Sequence, residues 1–173
     1  MMRMNTSRVL LVIAALGTAV VLQASLFARL GLPGATPALL LVVVLTFAMS
    51  AGPAAGAIIG FSAGVLVDLA PPSAGSLGQT AAIYAIAGFL AGFIELKPGR
   101  PDLQAVATVS GLSVGVVLTQ ALLASVIGSP EVTWSIVPLL ALTQFLYAAA
   151  LSLLVIPAVG MLYRGAAEDG RFA

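Results

Sequence analysis

The sequence predicts an all-α integral membrane protein, with residues 1–173 forming a single polytopic membrane domain built as a six-transmembrane-helix bundle. Three observations carry this. The chain is 61% hydrophobic and only 8% charged, with a mean hydropathy of +1.16, far from the composition of soluble domains. Its apolar runs approach the roughly 17–25 residues that cross a hydrocarbon core, and Pro/Gly-rich breaks separate them. One run also carries Gly52, Gly56, Gly60, Gly64 and Asp68 at strict four-residue spacing.

The first helix is expected over residues 8–28, with Arg3 and Arg8 before its apolar run. The run is long enough to span, and it lacks a convincing small-x-small cleavage site. It therefore reads as a retained transmembrane helix and not as a secretory signal. Arg29, Gly31, Pro33 and Gly34 close it, and a second helix follows over 36–50. The third is expected over 53–69, with Pro53 at its first position, where a missing N–H costs nothing. The segment Pro71-Pro72-Ser73-Ala74-Gly75 stops it.

Helix four is expected over 77–95, helix five over 103–127 and helix six over 135–163. The breaks between them are the polar segment from Lys97 to Asp102 and the turn from Gly128 to Glu131. Trp134 and Tyr163 sit where interfacial anchors belong, and Pro157 should kink the last helix by freeing the carbonyl of Leu153. With six crossings, Arg3, Arg8, Lys97, Arg100, Arg164 and Arg171 fall on one side and Arg29 on the other, so both termini are expected in the cytoplasm. Helices two and three are short, and a re-entrant hairpin over 36–69 is the rival topology.

The residue types exclude several functions. With no Cys and no His, the chain has no thiol or imidazole catalysis, no disulfide and none of the usual zinc or haem ligands. A net charge of +1 without a basic cluster gives no case for nucleic acid. Phosphate-binding glycine loops and nucleophile-elbow motifs are missing, and no cofactor, metal or enzymatic activity is expected.

What remains is the glycine row. Residues four apart lie above one another on a helix, so Gly52, Gly56, Gly60 and Gly64 form a groove without side chains that ends at Asp68. In lipid, small residues at this spacing let helix backbones approach, so the row reads as a helix-packing surface within the bundle or against a partner. Gly88 and Gly92, and Gly111 and Gly115, repeat the spacing more weakly. Asp68 reads either as a helix end that accepts bonds from the following turn or as a docking group. Gln23, Gln79, Thr80, Tyr84 and Gln120, with Thr119, fall in the outer half of the predicted helices, and Thr143 and Gln144 lie nearer mid-depth. They form either hydrogen bonds inside the bundle or an outward-open pocket for a small ligand or a partner helix.

The segment Gly52-Pro53-Ala54-Ala55-Gly56, continuing through Gly60-Phe61, Gly64 and Asp68-Leu69 to Leu77-Gly78, resembles the MreD family of bacterial rod shape-determining membrane proteins. Leu22-Gln23-Ala24-Ser25 and Pro37-Ala38-Leu39-Leu40 resemble its first two helices. Family members often carry Asp or Asn at the position of Ala38 and basic residues just before Gly52, and this chain departs from both habits. The resemblance implies a multi-pass protein of the bacterial inner membrane, surrounded by lipid. Its implied role is as a non-enzymatic component of cell elongation that binds MreC and works with MreB filaments, RodA and a penicillin-binding transpeptidase. It also implies a fold like the substrate-binding subunits of energy-coupling factor transporters. The alternative function is accordingly a small-molecule-binding transporter subunit whose pocket uses Gln23, Asp68, Gln79, Tyr84 and Gln120.

Overall fold

The computed structural model describes residues 6–23, 25, 36–69, 78–96, 102–127 and 134–168, with side chains up to Met161 and from Leu10. It is all-helical, with α1 (Thr6–Leu22), α2 (Leu39–Ala51), α3 (Pro53–Leu69), α4 (Gln79–Ala91), α5 (Leu103–Val126) and α6 (Val137–Glu168). The breaks expected at 29–34, 71–75 and 128–131, and all of that at 97–102 except Asp102, lie outside the described residues. So do the side chains of Tyr163 and of the basic residues from which the orientation is read.

Two helices, over Leu103–Val126 and Val137–Met161, are long and apolar enough to cross a membrane, and the other four are shorter apolar helices. Helix α1 ends as a regular helix at Leu22 and loosens into a wider π-type turn at Gln23, earlier than expected. Helix α4 gives way at Ala91 to tight turns, in which Phe93 donates to Leu90 and Ile94 to Ala91. Helix α6 runs on through Pro157 to Glu168.

Helix α2 is the axis of the molecule. Every residue from Leu39 to Met49 is buried, and α2 packs against all five other helices. A helix that is apolar on all sides has no face to offer water, and enclosure by other helices is the arrangement that suits it. The other helices line the core on one side and turn large apolar side chains outwards: Ile58 and Phe61 on α3, Ile86 and Phe89 on α4, Leu122 on α5, Leu142 and Leu154 on α6. So much exposed apolar surface suits a lipid surround, because water would drive it to associate.

The joint between α2 and α3 follows from two residues. Gly52 adopts φ 91°, a left-handed value that a side chain would disfavour, and it separates the two helices by one residue. Pro53 begins α3 and cannot donate to Met49, four residues earlier, whose carbonyl would be orphaned. The Leu96 N–H fills that place at 3.3 Å, tying the exit of α4 to the end of α2.

Candidate functional site

The glycine row packs against α4. A Cβ built on Gly56 would overlap the Gly88 carbonyl, one on Gly60 the Tyr84 carbonyl, and one on Gly64 the backbone of Ala81. Reciprocally, a Cβ on Gly88 would overlap the Gly56 carbonyl, and one on Gly92 would lie 2.5 Å from the Pro53 nitrogen. The register falls on α4 as it rises on α3, so the two helices run antiparallel in backbone contact. Dispersion between close-packed main chains is what small-xxx-small spacing makes available in lipid. Gly52 serves as the α2–α3 joint, with open space where its own Cβ would be, and its carbonyl carbon lies 2.6 Å from the place of a Cβ on Gly92. Gly111 and Gly115, at the same spacing on α5, also face open space, so spacing alone does not separate packed glycines from free ones.

Asp68 closes the α3–α4 hairpin. Its Oδ2 accepts the backbone N–H groups of Gly78, at 2.9 Å, and Ala81, at 3.2 Å. These belong to the first turn of α4, whose N-cap is Gly78 at φ 91° and offers no side-chain acceptor of its own. A carboxylate there satisfies orphan donors and meets the positive end of the helix dipole. Gln23 does the same for α2: its Oε1 accepts the Leu40 N–H at 2.9 Å, at a terminus where Ala38 makes no side-chain cap. In both hairpins, a polar residue at the end of one helix caps the start of the next.

Thr119 and Thr143 bond carbonyls of their own helices, Gly115 at 2.8 Å and Leu139 at 2.8 Å. Buried Thr46, Ser110 and Ser113 likewise bond back to Val42, Val106 and Val109. Hydroxyls on helices can satisfy themselves in this way without reaching a neighbour.

At the same end of the bundle as the two caps lies a cavity of about 320 Å³ between α2, α4, α5 and α6. Among the described residues its polar lining is Thr36, Tyr84, Gln120 and Gln144, with Ala38, Leu41, Val116, Val117 and Leu140 beside them. Gln144 is 2% exposed, and its Nε2 has no hydrogen-bond partner. A buried donor left without a partner costs about 1–3 kcal/mol. Of the five polar residues read from sequence as an outer-half network, the structure brings Tyr84 and Gln120 together at the cavity, assigns Gln23 to the α2 cap, and puts Gln79 and Thr80 in the first turn of α4. Thr36 and Gln144 were not among those five. Gln144 was visible as the most deeply placed amide in an apolar helix, but depth does not say which residues share a cavity.

A second, apolar groove of about 160 Å³ lies between α4 and α5, lined by residues that include Ile86, Leu90, Leu112 and Gly115, and Val116 lines both spaces. Among the described residues, no group of three or more acidic, His or Cys side chains could hold a metal ion.

These features define an all-helical membrane protein whose polar side chains cap helices and line a cavity. The family model for the rod shape-determining protein MreD matches residues 2–165, nearly the whole chain. The chain therefore belongs to the MreD family, bacterial membrane proteins that act as structural determinants of rod shape. Searches of the curated proteins and of the solved structures return no match.

Proposed function

We propose that this chain is the multi-pass inner-membrane scaffold of the cell-elongation machinery. It binds MreC and helps couple MreB filaments to lateral peptidoglycan synthesis, with RodA and a penicillin-binding transpeptidase as further partners. The observation that carries this reading is the family match over residues 2–165. The reading places six crossings in the membrane with both termini in the cytoplasm, following the bias of basic residues.

With the α3 glycine face occupied by α4, partner helices would meet the chain on its lipid-facing residues and not on the row. The transporter-subunit alternative gains nothing from the family match, and of its five pocket residues Gln23 and Asp68 cap helices, Gln79 begins α4, and Tyr84 and Gln120 line the cavity.

The test uses the absence of native cysteine. Single cysteines at Ile58, Phe61, Ile86, Phe93, Leu142 and Leu154, all exposed apolar positions, are crosslinked in cells that carry a cysteine-scanned MreC transmembrane helix. A contiguous set of positive sites on one face supports the scaffold reading. A folded, membrane-inserted protein that gives no crosslink and does not recover MreC on co-purification overturns it.

A further inference from the structure

The cavity and the apolar groove adjoin, and their chemistry is complementary to one class of molecule. Among the described residues, no charged side chain lines either space. The cavity instead offers amides and hydroxyls, with the buried Gln144 Nε2 as a donor lacking an acceptor. The groove beside it is apolar, and two of its walls, Ile86 and Leu90, are exposed on the bundle surface. Val116 lines both, so one side chain stands between the groove and the cavity.

Depth narrows the class further. Gln144 lies seven residues into α6 and Gln120 six residues before the end of α5, about 9–11 Å from that end of the bundle at 1.5 Å per residue. With the bundle end at the headgroups, that depth lies in the outer part of a hydrocarbon core about 30 Å thick, beneath the ester groups that bound it.

We propose that this is a binding site for one membrane glycerolipid, whose ester carbonyl accepts the Gln144 Nε2–H once the buried amide turns into the cavity, while an acyl chain lies in the α4–α5 groove. The volume of about 320 Å³ is at the small end for ligand pockets, enough for the glycerol diester region but not for a large headgroup, which remains at the bundle end near Thr36. Gly115 is what leaves the groove open: nothing lies within 4 Å of the place its Cβ would take.

Native mass spectrometry of the purified full chain tests this with dioleoyl phosphatidylethanolamine and its diether analogue, which has the same headgroup and chain length but no carbonyls. The wild type should bind one diester lipid about three- to fivefold more tightly than the diether, the value of one hydrogen bond. Gln144→Leu, similar in volume, should abolish the preference. Gly115→Leu should weaken both lipids at least about tenfold by filling the groove, with its folding checked by the melting temperature. Equal binding of diester and diether by the wild type overturns the proposal without need of any variant. So does a folded Gln144→Leu that keeps the preference, a folded Gly115→Leu that binds as the wild type does, or co-purification of a water-soluble molecule in place of lipid.

Discussion

Gly56 and Gly88 touch main chain to main chain, and a Cβ built on either would overlap the other's carbonyl oxygen. The contact is symmetric because the helices are antiparallel and both residues lie in small-residue rows at four-residue spacing. Neither glycine can be replaced without moving a helix, since the obstructing atoms are backbone and have no rotamer to change.

The first prediction follows from that contact. Gly60→Ala places its methyl against the Tyr84 carbonyl and should destabilise the chain by about 1–3 kcal/mol, whereas Gly111→Ala enters open space and should change stability by less than about 0.5 kcal/mol. Thermal melting of the purified protein in one detergent compares the two. Equal melting temperatures would mean that α3 and α4 are not in backbone contact.

A second prediction separates conformation from space. Gly52→Ala meets no neighbour within 4 Å, yet the residue sits at φ 91°. It should therefore cost about 1–2 kcal/mol from backbone strain alone. Gly17→Ala, also in open space but inside α1, should not. Melting measurements on the pair check this, and a neutral Gly52→Ala would show that the joint does not need the left-handed conformation.

The third concerns Asp68. Asp68→Leu removes the acceptor from Gly78 and Ala81 and should cost about 0.5–2 kcal/mol, while Asp68→Asn keeps an oxygen acceptor and should retain most of the stability. Hydrogen exchange gives the local reading: the Ala81 amide should lose protection in the leucine variant, and amides near the middle of α5 should be unaffected. If Ala81 kept its protection, the carboxylate would not be the cap.

The fourth applies the same chemistry to α2. Gln23→Leu should expose the Leu40 N–H and speed its exchange, and Gln23→Glu, which keeps an acceptor of similar reach, should restore protection. Failure of the glutamate to rescue would show that Gln23 acts through packing and not through its oxygen.

Helix α3 shows how much the sequence alone could settle. It begins at Pro53 as expected, because proline at the first position marks that end chemically, and it is helical to Leu69, the last described residue before the Pro71-Pro72 segment. The loosened end of α1 at Gln23 and the early end of α4 at Ala91 have no such marker. Gln23 turns to cap α2, and Gly92 lies against Pro53, so both depend on neighbours far along the chain.

Composition pointed to the class of this protein: a chain with so little charge and so much apolar side chain leaves apolar surface outside when it folds, which suits lipid, and it has no thiol or imidazole. The four-residue spacing determined that α3 offers a bare face, because helix geometry puts such residues on one side whatever surrounds them. Only the tertiary structure decided what fills that face, since Gly111 and Gly115 have the same spacing and meet nothing. It also decided that Asp68 and Gln23 spend their oxygens on helix termini, while Gln144 is left with a free donor in a cavity. A hydrogen bond is made across space by whichever donor lies within about 3 Å, and that neighbour is set by the packing of helices, not by position in the chain.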